Sequence, residues 1–163
     1  MNQILPDVLD YNLDVVFCGT AVGNKSAFIQ AYYAGRGNVF YQTLNNCGFT
    51  PFLMNSEEYE KLLTYKIGLT DLAKNAKGMD SSIKYDDYDI NGFEKKILKY
   101  QPKMVCFNGK KAAKIYFQYK TTKMISLGLQ EKSIKQTKIF VAPSTSPAAK
   151  KYWDEKLWKE LKN

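Results

Sequence analysis

The sequence predicts an α/β fold of three layers, in which helices cover both faces of a central, mainly parallel sheet of four to five strands. Two observations lead to this prediction. Short runs of β-branched and aromatic residues alternate with longer segments of helical periodicity. Several runs also end in small, turn-forming residues before a helix begins, as residues 13–18 do before Gly19 and residues 138–142 before Pro143.

The first half of the chain predicts two strands and two helices. Residues 13–18 form a short apolar run and predict a buried strand. Residues 36–47 predict a loop that becomes a helix, because apolar side chains recur at helical spacing in its second part. Asn55 followed by Glu58 resembles a capping box and predicts that a helix starts there. Residues 65–72 predict a short strand and a turn.

The second half predicts the remaining strands and three helices. Residues 74–89 are polar and predict an exposed loop. Asn91 followed by Glu94 resembles a second capping box and predicts the start of a helix. Strands are predicted at residues 103–108, 124–129 and 139–142, and helices at 110–119 and from 146 to about 161. Ser146-Pro147 suits a helix start because it offers a capping hydroxyl and a proline in the first turn.

Length and charge indicate one domain with an anionic partner. We expect residues 1–163 to form a single domain. A formal net charge of +8 favours nucleic acid first and acidic membranes second. Nearly all of this charge comes from lysine, with Arg36 the only arginine, so it could also reflect general composition.

Histidine and cysteine usage narrows the chemistry. The chain has no histidine, which removes the usual proton shuttle at neutral pH and the commonest metal ligand. Cys18, Cys47 and Cys106 are too far apart for a paired-cysteine zinc motif. Three dispersed cysteines, with no secretory or membrane-spanning segment, predict an intracellular, cytoplasmic protein. We expect a monomer that does not bind membranes.

Two loops that follow predicted strands carry most of the chemistry. Gly19 and Gly23 allow the backbone to approach a ligand closely, although a plain strand-to-helix turn is the alternative. Residues 143–147 offer hydroxyls and N–H groups at a helix start, which suit phosphate, with simple capping as the alternative. Because both loops follow strands of an open α/β sheet, we expect them to line one crevice.

A third segment, between these loops in the sequence, combines aromatic rings with glycines. Tyr33 and Phe40 flank it, and exposed aromatic faces suit an unstacked base, with stacking worth ~1–3 kcal/mol per base. The alternative for Phe40 is core packing, because it fits the helical spacing of residues 36–47.

Together these segments resemble the mismatch-specific branch of the uracil-DNA glycosylase superfamily, which contains the bacterial G:U and the thymine-DNA glycosylases. The similarity covers almost the whole chain. In family order it comprises residues 15–19, 33–35, 37–40, 46–50, 68–71, 100–102, 105–110, 128–130 and 143–146. The resemblance implies a DNA-repair enzyme that flips a damaged base out of DNA and hydrolyses its N-glycosidic bond without a metal or organic cofactor.

The resemblance also implies roles for individual residues. Phe40 would stack on the flipped uracil, Tyr33 would wall the pocket, and Gly19 would bring backbone against the base. Asp71 lies where relatives place an asparagine that reads the base edge. Contacts with DNA are implied for Ser144, Thr145, Ser146 and Ala148, with the two serines on phosphates and the stretch through Ala148 in the gap left by the base. Lys25 and Arg36 lie near the two loops, and we expect them to bind phosphates. For the last two, plain solvation is the alternative.

The departures from the family pattern concern the attacking water and the wedge. Ala21 stands where mismatch-specific enzymes carry the asparagine that positions water. Asn38 matches an asparagine on which hypoxanthine-DNA glycosylases rely, and we favour it over Asp71 for this role. Asp71 would help base recognition only if protonated or facing an exocyclic amino group. Ser146 and Ala148 have small side chains, which would do little to push a base out of a duplex. Because flipping a base out of a duplex costs a few kcal/mol, this favours single-stranded DNA.

The expected mechanism is electrostatic. Bond breaking runs ahead of water attack, so backbone N–H groups at Thr20 and Ala21 would stabilise the departing uracil anion, and one such donor typically contributes about 10²–10³ in rate. We therefore expect a monofunctional uracil-DNA glycosylase. Two alternatives remain: a catalytically impaired protein that binds lesions or abasic sites, and a glycosylase for another deaminated base such as hypoxanthine.

Overall fold

A computed structural model describes residues 3–79 and 82–163, in which five strands form one sheet in the order β2-β1-β3-β5-β4. The strands are β1 (Val15–Gly19), β2 (Ile67–Asp71), β3 (Met104–Asn108), β4 (Gly128–Ile134) and β5 (Thr137–Ala142). β4 runs antiparallel to β5, and the other neighbouring pairs are parallel. This arrangement confirms the α/β fold with a mainly parallel five-stranded sheet.

Helices cover both faces of the sheet. They are α1 (Asn24–Ile29), α2 (Phe40–Asn46), α3 (Ile90–Tyr100), α4 (Lys110–Phe117) and α5 (Glu155–Lys162). Shorter 3₁₀ segments span Ser56–Tyr65, Tyr85–Asp87, Thr122–Met124 and Pro147–Tyr152. No helix within the described ranges is long and apolar enough to cross a membrane.

The sheet divides the apolar interior into two clusters, as the side chains of β1 show. Val15 and Phe17 point into one cluster, while Val16 and Cys18 point into the other, because successive side chains of a strand face opposite sides of the sheet. All five residues of β1 are buried. A strand covered on both faces reads as a continuous apolar run, which explains why the sequence predicted it well.

The helix that follows the 74–89 segment starts at a different residue from the predicted one. Asp89, not Asn91, caps α3, since its carboxylate accepts a hydrogen bond from the Gly92 N–H at 2.9 Å. Glu94 accepts a hydrogen bond from the Tyr116 hydroxyl at 2.6 Å instead of completing a capping box. The capping box predicted at Asn91 and Glu94 is therefore wrong, although the helix itself is present.

Two further elements differ from the sequence prediction. The strand expected at residues 124–129 starts only at Gly128 and continues to Ile134. The last predicted helix is broken: a 3₁₀ segment ends at Tyr152, and α5 begins after Asp154, whose carboxylate accepts a hydrogen bond from the Lys156 N–H at 3.0 Å. Asp154 starts a new helix because its side chain supplies a cap.

Candidate functional site

The carboxyl ends of four parallel strands lie along one edge of the sheet. Gly19 at the end of β1 is paired with Asp71 at the end of β2. Asn108 at the end of β3 is paired with Ala142 at the end of β5. The topology therefore brings the loops that follow β1 and β5 to the same edge, as predicted from the rule for open α/β sheets.

The loop after β5 is fixed by Asn108. The Asn108 Nδ2 donates a hydrogen bond to the Thr145 Oγ1 at 3.0 Å, and the Thr145 N–H donates one to the Asn108 Oδ1 at 3.0 Å. Thr145 is 2 % exposed. Its side chain anchors the loop, so the predicted contact between Thr145 and DNA does not fit the structure.

The other predicted phosphate contacts of this loop have polar atoms near the surface. Ser144 and Ser146 are half-buried and Ala148 is exposed. The Ser144 Oγ accepts a hydrogen bond from the Ser146 N–H at 3.1 Å, and the Ser146 Oγ accepts one from the Ala148 N–H at 3.3 Å. The two hydroxyls thus shape a turn at the start of the Pro147–Tyr152 segment and keep their own protons available for a ligand.

The glycine-rich segment packs against this loop. The Val39 N–H donates a hydrogen bond to the Thr145 carbonyl at 3.1 Å. Gly37 has a φ of +84°, and a Cβ there would lie 3.3 Å from the Pro147 Cβ. Glycine is favoured at this position because it combines a left-handed backbone with a close approach. Asn38 therefore lies beside the loop after β5.

The side chain of Asn38 is half-buried and partly engaged. Its Oδ1 accepts a hydrogen bond from the Phe40 N–H at 3.1 Å, at the start of α2. A carbonyl oxygen has two lone pairs, so one acceptor position remains.

Phe40 has no free face for a base. It is 0 % exposed, and its ring contacts Phe17 edge-on at a centroid distance of 5.2 Å. The Tyr33 ring stacks on it at 4.1 Å with an interplanar angle of 30°. The predicted stacking of Phe40 on a flipped base does not fit this arrangement, and the alternative of core packing describes Phe40 instead.

Tyr33, Gly19 and Asp71 meet at the floor of the site. A Cβ on Gly19 would lie 3.0 Å from the Asp71 Oδ1 and 3.6 Å from the Tyr33 hydroxyl. Asp71 is 4 % exposed. Within the described ranges, the Asp71 Oδ2 and the Tyr33 hydroxyl are buried and make no hydrogen bond. Burial raises the pKa of Asp71 to about 6, against the lowering effect of Lys74.

A charged cluster that the sequence did not predict lies beside this floor. The Lys74 Nζ is 3.1 Å from the Asp7 Oδ1 and 3.6 Å from the Asp71 Oδ2. It also donates a hydrogen bond to the Tyr32 hydroxyl at 2.7 Å. The Lys96 Nζ is 2.6 Å from the Asp7 Oδ2. These residues come from four separate segments, so no local motif could reveal them.

The prediction that residues 74–89 form an exposed loop is wrong at Lys74. It is 9 % exposed and forms part of this cluster, whereas most of the described residues after it in that stretch are exposed. Positions 80 and 81 of the predicted loop lie outside the described residues.

The remaining predicted residues lie in the first loop or at the surface. Thr20 and Ala21 are half-buried, and the Thr20 carbonyl accepts a hydrogen bond from the Ala73 N–H at 2.8 Å. Lys25, in the first turn of α1, and Arg36, in the glycine-rich segment, are exposed.

Comparison with known proteins agrees with this architecture. The sequence model of the Uracil DNA glycosylase superfamily matches residues 6–162. The fold is also similar to the solution NMR structure of a candidate uracil DNA glycosylase from Methanosarcina acetivorans, with a TM-score of 0.65 and 24 % sequence identity. The alignment covers 98 % of this chain and 97 % of that one.

Proposed function

The chain belongs to the uracil DNA glycosylase superfamily, and on this basis we propose that it is a DNA glycosylase that hydrolyses the N-glycosidic bond of uracil in DNA. One observation supports this most strongly. The buried Tyr33 hydroxyl, which makes no hydrogen bond, and the Asp71 Oδ1 both border the backbone at Gly19, where a Cβ would lie 3.6 Å and 3.0 Å from them. Buried polar atoms without partners are rare, and at such an edge they indicate that a polar ligand supplies the partner.

The base would stack on Tyr33. One face of its ring is covered by Phe40 at 4.1 Å, and the base would take the opposite face. A base stacked on an aromatic ring gains ~1–3 kcal/mol. Phe40 would support the Tyr33 ring from the face opposite to the base, because Phe40 is itself packed against Phe17.

The damaged strand would run along the loop after β5. The hydroxyls of Ser144 and Ser146 and the start of the Pro147–Tyr152 segment face this edge, and Asn108 keeps the loop in position. Lys25 and Arg36 would add positive charge for the phosphates, which agrees with the net charge of +8.

The chemistry would depend on charge stabilisation and a positioned water. Backbone N–H groups at Thr20 and Ala21 would face the anionic base. Asn38 would hold the water, since the Phe40 N–H occupies only one acceptor position of its Oδ1. Ala21 has no polar side chain and therefore cannot take that role.

The site favours a monofunctional enzyme. A lysine nucleophile must be neutral, and Lys74, which lies nearest to Asp71, is engaged in an ion pair with Asp7 at 3.1 Å. Small side chains at Ser146 and Ala148 provide no wedge, which favours single-stranded substrates. We place the chain nearest the mismatch-specific branch, with Asn38 as a feature of the hypoxanthine enzymes.

Base release from single- and double-stranded oligonucleotides that contain one uracil tests the proposal. We expect Asn38→Ala to lower the rate about 10²-fold and Tyr33→Ala to lower it about 10-fold or more. Asn38→Ser keeps an oxygen that can accept from the Phe40 N–H and should be as slow as Asn38→Ala if the amide holds the water. Asn91→Ala, at an exposed position, is the control.

A second candidate function follows from Ala21. Without the first-loop asparagine, the protein could bind lesions or abasic sites without releasing a base. Salt-sensitive binding to these oligonucleotides with no base release by excess enzyme would establish this function instead. Equal rates for wild type and both Asn38 variants would contradict the assigned role of Asn38.

A further inference from the structure

Asp71 is the polar side chain at the floor of the site, and its protonation state decides which base edge it can bind. We propose that Asp71 reads the base as a neutral carboxylic acid, and that the site accepts the lactam edge shared by deaminated bases, uracil and hypoxanthine alike. This inference rests on the proposed function, because it assumes that a flipped base reaches the Gly19–Asp71 floor.

Of the two buried carboxylates, Asp7 has more hydrogen-bond donors around it than Asp71 has. Asp7 accepts a hydrogen bond from the Thr70 hydroxyl at 2.6 Å and pairs with Lys96 at 2.6 Å and Lys74 at 3.1 Å. Of these three donors, Lys74 is the one near Asp71. Its Nζ lies 3.6 Å from the Asp71 Oδ2, which is beyond hydrogen-bonding distance. Asp7 is therefore the ionised member of the pair, and a proton taken up by the cluster resides on Asp71.

The other groups around Asp71 do not change this assignment. Cys18 faces it from β1, and Tyr32 and Tyr33 face it from the segment after α1. Burial raises the pKa of all three, so they stay neutral. The charges that act on Asp71 are thus Lys74 and, farther away, Asp7 and Lys96.

A neutral carboxyl group matches a lactam edge. It places one donor and one acceptor side by side, as a carboxamide does. Uracil offers N3–H and O4 on its edge, and hypoxanthine offers N1–H and O6. An ionised carboxylate has acceptors only and repels the carbonyl oxygen, so each of these bases would bind together with a proton. A carboxylic acid kept neutral by its surroundings can serve as a hydrogen-bond donor in this way.

The geometry also indicates which oxygen carries the proton. Lys74 lies 3.6 Å from the Asp71 Oδ2 and favours negative charge there, so the proton belongs on Oδ1. Oδ1 is also the carboxylate oxygen beside Gly19, 3.0 Å from where a Cβ would lie, and the base would approach it there. Cytosine offers the donor and acceptor in the opposite order from uracil. With the proton fixed on Oδ1, the two donors would face each other, as would the two acceptors, so cytosine would not bind.

The test measures base recognition as a function of pH. A single-stranded oligonucleotide with one 2′-fluoro-2′-deoxyuridine, which resists cleavage, is titrated between pH 5 and 8.5. Its affinity is divided by that of the same strand with a tetrahydrofuran abasic site, so that phosphate binding cancels. For wild type we expect this ratio to be constant at low pH and to fall about tenfold per pH unit once Asp71 is ionised.

Two variants and two bases sharpen the test. Asp71→Asn keeps a donor and an acceptor at every pH, so its ratio should not fall. Asp86→Asn, at an exposed acid, should retain the wild-type profile. Oligonucleotides with 2′-fluoro-2′-deoxyinosine should follow the uracil curve, and those with 2′-fluoro-2′-deoxycytidine should bind no better than the abasic strand.

The outcomes separate the two proposals. A wild-type ratio that does not change with pH overturns the inference even if Asp71→Asn does not fold, and so does strong uracil recognition without hypoxanthine recognition. If uracil is released at a rate that does not depend on pH, the proposed function stands and the inference falls. If no base is released but the ratio depends on pH in wild type and not in Asp71→Asn, the edge recognition stands and hydrolysis falls.

Discussion

Removal of the Asn108 side chain should detach the loop after β5 from the sheet. Asn108→Ala deletes two hydrogen bonds to Thr145, each 3.0 Å long. Thr145 is 2 % exposed, so its N–H and hydroxyl would lose their partners without gaining water. Leaving such a buried group unpaired costs about 1–3 kcal/mol, and two groups together give an expected destabilisation of about 2–6 kcal/mol.

Urea denaturation with linear extrapolation measures this loss. The variant should still fold, because domains of this size are stable by about 5–15 kcal/mol. Its melting temperature should fall by roughly 4–24 °C, given about 2–4 °C per kcal/mol for a chain of this length. Asn91→Ala, which removes an exposed amide, should stay within about 0.5 kcal/mol of wild type.

A second substitution separates stability from function. In Asn108→Asp the carboxylate can accept from both the Thr145 N–H and its hydroxyl, so the loop should remain anchored. The new negative charge lies below the predicted phosphate contacts and should weaken binding to single-stranded DNA, most strongly at low salt. If Asn108→Ala is as stable as Asn91→Ala, the loop does not depend on Asn108 and this reasoning is refuted.

The remaining predictions concern the aromatic pair and pH. Phe40→Ala should lower the free energy of unfolding, measured in urea, by about 3–5 kcal/mol, and an equally stable variant would contradict core packing of Phe40. Tyr33→Phe should raise the free energy of unfolding by about 1 kcal/mol, because it removes a buried hydroxyl that makes no hydrogen bond. The pKa of Asp71 is about 6 in the folded protein against 3.8 ordinarily, so the folded state binds more protons between these values and stability should fall as pH rises from about 4 to 6. Asp71→Asn should remove a decline on the order of 2 kcal/mol between pH 4 and 7, and an unchanged decline would exclude Asp71 as its source.

Four of the five strands were predictable because each is a short apolar run, whereas β4 is mostly polar and exposed. Val15–Gly19 and the middle of Met104–Asn108 are buried, so burial selects their residue types. Helix boundaries were less predictable, because polar side chains close in sequence compete for the same backbone N–H groups. Asp89 and Asn91 lie two residues apart, and only the structure shows that Asp89 caps α3.

The site was predictable only in part, for two physical reasons. The resemblance pointed to Asp71 and Tyr33, and the sheet topology brings them together at Gly19. It also assigned Phe40 to base stacking, but the Phe40 ring is buried. The exposure of a ring depends on which neighbours cover it, and the sequence spacing does not show this. The Asp7–Lys74 pair joins residues far apart in sequence, and the contact of Val8 with Leu69 that places Asp7 beside β2 has no sequence signature.

The distribution of unsatisfied groups argues for a ligand site rather than a weakness of the fold. Among residues 3–79 and 82–163, other buried polar side chains are paired: the Thr137 hydroxyl donates to the Pro102 carbonyl at 2.6 Å, and the Trp158 Nε1 donates to the Pro143 carbonyl at 3.0 Å. Tyr33 instead combines a left-handed backbone, with a φ of +55°, and a hydroxyl without a hydrogen bond. Such costs persist where the surrounding structure enforces them, and they cluster at functional sites. Their concentration beside Asp71, at the edge where ligands bind in open α/β sheets, is the physical reason to seek the substrate base there.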